Sequence, residues 1–281
     1  MRGQIMFNAI TRAEIWLQDT LDKPLGIEDL AKHIGYSSSQ VRRQFRQSFH
    51  IPPSAYREKR RLERAAVLLA LTPLNIAQIA ICCGYHNHSS FSRAFQRRYQ
   101  LSPRDFRQTL RTALHHPTPH RGFNTRIEKT NDRQMILMRL YKAPEHIKGL
   151  GDVSYHNMQL ACLQARLSLS TTIIALPDIL ADRVNALNKA SLLSYRTDIG
   201  LYLADTDNAQ DIALPALYRR VDIPTHYYAS TCFDNFADLY GALTHTIMYL
   251  LGRQDAFHVS GHPPQVLWKE NQLELRIPLI G

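Results

Sequence analysis

The chain has 281 residues, a length that fits two domains, each large enough to bury its own core. Hydrophobic residues make up 44% and charged residues 21%, which excludes collagen-like, low-complexity and wholly disordered chains. The formal net charge of +10 is unevenly divided. Residues 1–121 hold 19 Lys and Arg against 8 Asp and Glu, a net charge of +11, and the rest has a net charge of −1. This asymmetry indicates that the first half meets a polyanion.

Cysteine usage favours a reducing, cytosolic compartment. Two of the four cysteines, Cys82 and Cys83, are adjacent and adjacent cysteines rarely bridge, so no disulfide framework is expected. No stretch approaches about 18 consecutive apolar residues, so we expect neither a membrane-spanning helix nor a membrane partner. Asn8, Arg12 and Glu14 interrupt the apolar residues near the N-terminus, which argues against a secretory signal.

An internal repeat lies in the basic half. Six residues recur 49 positions later: Ile27, Leu30, Ala31, Ile34, Gly35 and Tyr36 correspond to Ile76, Ile79, Ala80, Cys83, Gly84 and Tyr85. Beyond the tyrosine the offset becomes 50, and Phe45, Phe49, Pro53, Tyr56 and Arg57 correspond to Phe95, Tyr99, Pro103, Phe106 and Arg107. Apolar residues at helical spacing, a glycine stop and a second amphipathic segment predict a helix-turn-helix in each copy.

The same half is predicted to be all-α, with seven helices. Serines after the first glycine are suited to cap the next helix, and a proline is suited to begin the helix after each copy. The helices are expected at about 7–20, 27–34, 38–49, 53–71, 75–83 and 88–99, with a last one beginning at Pro103.

The second helix of each copy is suited to the major groove of double-stranded DNA, because it carries basic and small polar residues on its open face. Base contacts give specificity, and arginine on guanine is the commonest. The candidates for base contact are Ser39, Arg42, Arg43, His88, Ser89, Ser90 and Arg93. The candidates for phosphate contact, which supplies affinity without sequence preference, are Arg46, Arg57, Arg60, Arg61, Arg97 and Arg98.

A solvated helix face is the alternative for any single arginine, but a basic face repeated in both copies favours DNA. Two such helices in one chain can span successive major-groove segments, roughly 34 Å apart. A monomer could then bind a non-palindromic site.

This half resembles the DNA-binding domain of AraC-type transcription regulators, and its arrangement is similar to the MarA/SoxS/Rob group. The resemblance covers residues 7–114 and includes the segment CGYHNHSSFSRAFQRRYQLSPRDFR. It implies DNA binding and control of transcription, usually activation through contact with RNA polymerase. The family's base-contacting positions correspond to Ser39, Arg42, Arg43, His88, Ser90 and Arg93.

A zinc site is the competing interpretation for Cys82, Cys83, His86 and His88. Structural zinc sites space their cysteines by about two to four residues, and adjacent cysteines at a helix end diverge. Cys83 takes the place of Ile34 in the repeat. We therefore expect the two cysteines to be buried as small apolar residues, with no metal and no cofactor.

After Leu114, a polar run with two prolines and a glycine predicts a linker at 115–125, between domains at 1–114 and 126–281. The second domain is predicted to be α+β. Strands are expected at 133–143, 172–176, 195–203, 265–269 and 272–280, a β-rich segment at 217–233, and helices at 155–169 and 235–251.

The order of these elements and the ending ELRIPLI resemble the GyrI-like effector-binding domain, a duplicated strand–helix–strand–strand unit around a small-molecule cleft. The resemblance implies that this domain senses a small molecule or a partner. The candidates for the pocket lining are Tyr141, Tyr202, Tyr228 and Trp268. Such a lining suits an uncharged or anionic amphipathic effector better than a cation, and plain core packing is the alternative.

No enzyme is expected, because no nucleophile–base pattern and no glycine-rich phosphate loop is found. The leading hypothesis is a cytoplasmic, nucleoid-associated transcription activator. One alternative is an architectural or origin-binding DNA protein without promoter control. Another is a ligand-sequestering or hydrolytic C-terminal module with an incidental DNA tether.

Overall fold

The computed structural model describes residues 2–114, 122–131, 133–141, 171–187, 196–203, 214, 217–253, 257–269 and 272–280. The chain divides into two compact units, Met1–Thr109 and Leu110–Gly281. Within the described parts of the chain, none of the helices is both long and apolar enough to cross a membrane.

Residues 2–114 form seven helices, the number that the repeat predicts. They are α1 (Arg2–Asp19), α2 (Ile27–Ile34), α3 (Ser38–Phe49), α4 (Pro53–Leu71), α5 (Ile76–Cys82), α6 (His88–Tyr99) and α7 (Pro103–Leu114). The predicted bounds of α2, α3, α4 and α6 agree with the observed ones. Helix α1 begins earlier than predicted.

Caps and glycines set the turn of each copy locally. The side chains of Ser37 and Asn87 accept hydrogen bonds from backbone N–H groups three residues on, at 3.3 and 2.8 Å. Gly35 follows α2 with φ 76°, and Gly84 follows α5 with φ 74°. This left-handed backbone favours glycine, because a Cβ would crowd the next carbonyl. The second helices of the two copies, α3 and α6, are called the recognition helices, and each begins at a position fixed by a few local residues.

The core of this part is repeated as well. In each copy, three aromatic residues from the recognition helix and the helix after it contact one another. The rings of Phe45, Phe49 and Tyr56 have centroid distances of 4.6, 5.3 and 5.4 Å, and those of Phe95, Tyr99 and Phe106 have centroid distances of 4.6, 5.0 and 4.9 Å. These clusters bury one side of α3 and α6 and leave the other side to solvent.

In the described residues of the C-terminal part, nine strands and two α-helices are found. The strands are β1 (Thr125–Thr130), β2 (Arg133–Leu140), β3 (Thr171–Ala175), β4 (Thr197–Tyr202), β5 (Tyr218–Ile223), β6 (His226–Phe233), β7 (His258–Val259), β8 (Gln265–Lys269) and β9 (Gln272–Ile280). The helices are α8 (Ile179–Leu187) and α9 (Leu239–Gly252).

The strands form one sheet in the order β1-β6-β9-β8-β3-β4-β2-β5, with β7 beside β9. All pairs are antiparallel. The hydroxyl of Thr130 on β1 lies 3.2 Å from that of Tyr202 on β4, although four strands separate them in this order. The sheet is therefore strongly curved. Helix α9 covers the outer face, where Thr246 contacts Thr231 of β6 at 2.7 Å.

The strands predicted at 133–143, 172–176, 195–203, 265–269 and 272–280 each overlap an observed strand, and the helix predicted at 235–251 overlaps α9. Strand β1 was not predicted, because its sequence is rich in charge and begins inside the expected linker. Helix α8 was also missed. The helix expected at 155–169 lies outside the described residues.

Candidate nucleic-acid interface

Helix α3 separates apolar from basic residues. Val41 and Phe45 are fully buried. The candidate DNA contacts of this helix are all exposed: Ser39, Arg42, Arg43 and Arg46. Nη2 of Arg42 lies 3.8 Å from Oε1 of Glu28, and the two side chains are 56% and 76% exposed. A pair this exposed contributes about 0–1 kcal/mol, so Arg42 remains available to another anion.

Helix α6 has the same division. Phe91 and Phe95 are buried, and the exposed candidates are His88, Ser89, Arg93 and Arg97. The half-buried Ser90 donates its hydroxyl to the carbonyl of Asn87 at 3.0 Å, so this hydroxyl already has a partner. Arg97 is 73% exposed and pairs with Glu58 of α4 at 3.0 Å. The half-buried Arg98 lies over the ring of Tyr99 at 5.1 Å.

Two arginines of α4 are not placed for the phosphate contacts expected of them. Arg57 is 8% exposed and Arg60 is 3% exposed. Arg60 pairs with the buried Glu63 at 2.8 Å and lies over the ring of Tyr56. Burial lowers the pKa of the Arg57 guanidinium, with a further contribution from the charge of Arg61. Because both side chains are turned into the domain, the expectation of phosphate contact is wrong for Arg57 and Arg60.

Arg61 is intermediate in burial between the exposed arginines of α3 and the buried Arg57 and Arg60. Its guanidinium is half-buried and donates to the carbonyls of Leu21 and Lys23, the latter at 3.3 Å, and it lies over the ring of Tyr85 at 5.9 Å. Its hydrogen bonds to the chain just after α1 show an internal role. A phosphate contact by Arg61 stays a prediction.

The adjacent cysteines differ in burial. Cys83 is fully buried, as expected for a substitute of Ile34, and burial raises the pKa of its thiol to about 12. Cys82 is exposed, so its expected burial is wrong, because the end of α5 turns it away from the core. Among the residues that the structure describes, no three His, Cys, Asp or Glu side chains are grouped to hold a metal ion.

In the C-terminal sheet, the curvature brings two of the four predicted pocket residues to one cluster. Arg276 of β9 lies over the rings of Tyr228 and Tyr202, at 4.4 and 5.6 Å. Tyr228 donates its hydroxyl to Glu128 at 2.9 Å. Arg276 also donates to Glu274 at 2.7 Å. An arginine therefore lies between the aromatic rings that the sequence suggested as a ligand lining.

Trp268 does not belong to this cluster. It packs against Phe236 at a centroid distance of 5.6 Å. Its neighbour Leu267 belongs to the apolar cluster against which Tyr202 packs. Since successive strand residues point to opposite faces, Tyr202 and Trp268 cannot line one pocket. Tyr141 is half-buried just after β2.

Buried acids are the polar feature of this sheet that sequence reasoning missed. Asp198 is bound by Arg139 at 2.6 Å and Arg219 at 2.7 Å. Burial alone would raise the pKa of Asp198, but the charges and hydrogen bonds of these arginines lower it to about 2. Glu274 accepts from Ser230 at 3.0 Å. The alternation of Glu274 and Arg276 with apolar residues in β9 was the available signal.

Two helix-turn-helix copies with exposed basic recognition helices define the class of a DNA-binding regulator. A family model described as a helix-turn-helix domain matches residues 30–109. The regulatory protein SoxS of Escherichia coli strain K12 is 39% identical over 95 residues, which are 34% of this chain and 89% of SoxS. YkgA of the same strain is 39% identical over 92 residues, 33% of this chain, and the match spans only 38% of YkgA.

Among solved structures, an AraC-type DNA-binding transcriptional regulator from Chromobacterium violaceum is 31% identical. The match covers 36% of this chain and 91% of that one, and the TM-score is 0.35. The chain belongs to the AraC family of helix-turn-helix transcription regulators. The similarity to SoxS and YkgA covers about a third of this chain.

Proposed function

We propose that α3 and α6 contact two adjacent major-groove segments of one DNA duplex, and that the chain does so as a monomer. The observation that carries this proposal is the repeated exposure of basic side chains on the two recognition helices, opposite their buried aromatic residues. Counterion release by these side chains supplies affinity, and contacts to base edges supply sequence preference.

The residues proposed for base contact are Ser39, Arg42, Arg43, His88, Ser89, Ser90 and Arg93. Ser90 is the weakest member, because its hydroxyl is bonded to the Asn87 carbonyl. The residues proposed for phosphate contact are Arg46, Arg61, Arg97 and Arg98. Arg57 and Arg60 are removed from that set by their burial.

Selection of bound DNA from a random pool by the full chain tests the proposal. An asymmetric motif with two conserved blocks, spaced by about one helical turn, is the expected result. A single block, an inverted repeat, or no enrichment at all would contradict it. The alternative of an architectural DNA protein predicts binding with little sequence preference and strong bending.

Activation of transcription through RNA polymerase is proposed from the family alone. A reporter with the selected motif upstream of a weak promoter should gain expression when the chain is supplied. Unchanged or lowered expression would contradict an activator. The division into 1–114, a linker at 115–125 and 126–281 is likewise part of the proposal, with β1 beginning at Thr125.

We further propose that the C-terminal sheet is a GyrI-like sensing domain. The strand order supports an internal duplication: β1-β6-β9-β8 corresponds to β5-β2-β4-β3, each read from its edge strand towards the middle of the sheet. Pairing β2 with β5 and β6 with β1 fits the same symmetry. Under this correspondence the buried Asp198 and Glu274 fall on equivalent positions.

The effector proposed is uncharged or anionic, and an anionic group would accept from the guanidinium of Arg276 between Tyr202 and Tyr228. The amphipathic anion anilinonaphthalene sulfonate is a suitable probe. Its fluorescence should rise with the full chain and fall strongly for Arg276→Gln, with Arg220→Gln on the exposed side of β5 as the control. Equal binding by both variants would contradict this pocket.

A further inference from the structure

Arg57 and Arg107 occupy equivalent positions of the repeat, 50 residues apart. They lie near the start of α4 and α7, the helices that directly follow the two recognition helices. Neither belongs to a recognition helix. Both nevertheless direct their guanidinium groups towards the beginning of their own helix-turn-helix copy, and this shared geometry suggests a shared role.

In the first copy, Arg57 joins two points that precede α2. Its Nη1 donates to the carbonyl of Leu25, and its Nη2 donates to Oγ1 of Thr20 at 3.1 Å. The side chain also lies over the ring of Trp16 at 5.2 Å. With 8% of its surface exposed, Arg57 is committed to these contacts inside the domain.

In the second copy, Arg107 does the same before α5. Its Nη2 donates to the carbonyl of Leu74 at 2.5 Å, and its Nε donates to the carbonyl of Leu69 at 3.2 Å. Leu74 and Leu69 lie 49 positions after the acceptors of the first copy. The donors and the acceptors are thus both repeated.

The hydrogen bond from each arginine back to the residue before α2 or α5 closes a loop of chain around one complete helix-turn-helix, and we call this loop a ring. Leu25 and Leu74 directly precede the N-caps of α2 and α5, Gly26 and Asn75. The ring from Leu25 to Arg57 spans 32 positions and encloses α2 and α3. The ring from Leu74 to Arg107 spans 33 positions and encloses α5 and α6.

The chemistry of arginine suits this task. Its planar guanidinium holds several donors in a fixed fork, so two acceptors in different segments are held at a set distance and angle. A lysine keeps the charge but offers a point-like ammonium on a flexible stem, without that fork. Replacing the arginine by lysine therefore keeps the positive charge and removes the fixed geometry of the guanidinium.

We propose that Arg57 and Arg107 are positioning residues, each fixing the orientation of the recognition helix inside its own ring. The two copies are then aligned separately, and damage to one ring alters the contact with one DNA block only. This inference rests on the proposed function, in which α3 and α6 contact different blocks.

The test uses the full chain with Arg57→Lys or Arg107→Lys. The probes are the selected two-block DNA and versions in which one block is scrambled. Arg57→Lys is expected to lower discrimination in the α3 block about tenfold, comparable to the loss of one base contact, and to leave the α6 block unchanged. Arg107→Lys should do the reverse. Arg104→Lys, at an exposed position of α7, is the matched control and should change neither.

Two outcomes would overturn the proposal in this arm. Equal loss of discrimination in both blocks would show a general loss of structure. Uniform weakening on all DNA, with a smaller dependence on salt, would show a contact to phosphate. The expected dependence on salt is the same as for the unmodified chain.

Amide hydrogen exchange without DNA supplies a second arm. Arg107→Lys should speed exchange in α5 and α6 relative to α2 and α3 of the same molecule, and Arg57→Lys should do the opposite. Equal acceleration in all four helices would overturn the proposal. Because the helices are compared within one molecule, this outcome can be read even for a variant of low stability. If the unmodified chain shows no two-block preference, the proposed function is refuted. Hydrogen exchange without DNA would still test whether each arginine holds the helices of its own copy.

Discussion

Gly35 and Gly84 hold the same place in the two helix-turn-helix copies, and both have left-handed backbone, with φ of 76° and 74°. A Cβ at Gly35 would meet no atom within 4 Å. At Gly84 it would lie 2.5 Å from the carbonyl oxygen of Leu21 and 2.7 Å from Nη2 of Arg61. The copies share a turn conformation but not its surroundings, since the second turn is packed against the body of the domain and the first is open.

Among these predictions, the largest loss in the free energy of unfolding is expected for a change at Arg60, where the two copies differ. Arg60 forms a buried pair with Glu63, whereas its equivalent is the buried Leu110. Arg60→Ala leaves the carboxylate of Glu63 buried without its cation, and the free energy of unfolding should fall by about 3–5 kcal/mol. The double change Arg60→Leu with Glu63→Leu replaces the pair by apolar residues, with leucine at position 60 as in the second copy, and should restore most of this loss. Urea denaturation followed at 222 nm measures both, and equal losses would contradict the expectation.

Alanine at the two glycines should separate turn strain from crowding. Gly35→Ala is expected to lower the free energy of unfolding by about 1–2 kcal/mol, the strain of a left-handed residue with a Cβ. Gly84→Ala adds a collision with backbone, for a further loss of about 1–3 kcal/mol. The same urea titration compares them. If the two variants lose the same stability, the crowding at Gly84 has no energetic weight.

Arg43 and Arg93 are also equivalent, and both are exposed on their recognition helices. Arg43→Ala and Arg93→Ala should each lower affinity for the selected DNA by about 1–3 kcal/mol, and each should relax discrimination in a different block. Binding to the intact site and to sites scrambled in one block measures this. Equal weakening on random DNA would mean that the arginine contacts only phosphate.

The smallest expected effects lie at the ends of the recognition helices, where His50 and Gln100 have φ of 61° and 58°. Glycine removes the strain of this backbone, so His50→Gly should raise the free energy of unfolding by up to about 1 kcal/mol. Gln100→Gly should gain less, because the Gln100 amide donates to the Arg97 carbonyl at 3.0 Å. Thermal unfolding of both variants checks the order, and a larger gain at Gln100 would reverse the comparison.

The helices of the N-terminal part were predictable because their signals are local. Ser37 and Pro53 mark helix starts, and the repeat allowed one copy to support the other. The face on which an arginine of α4 lies was not predictable in the same way. Arg60 and Arg61 are adjacent in a basic run, and only the packing of α4 shows which of them is buried.

The C-terminal part was predicted less completely, since its strands pair far along the chain. Strand β1 has a polar sequence that gives little signal by itself, and it is held by pairing with β6. The position of Arg276 between Tyr202 and Tyr228 depends on sheet curvature, which no short motif encodes. Candidate pocket residues chosen for their aromatic character therefore fell on both faces of the sheet.

The pairing of β1 with β6 bears on how the chain is made. Thr125 lies opposite Thr231, so the first strand of the sheet has no partner until about a hundred more residues have left the ribosome. Strand β6 in turn pairs on its other side with β9, the last strand described. The helical repeat closes over short stretches of chain and can assume its shape during synthesis, whereas the sheet has to wait for its final strand.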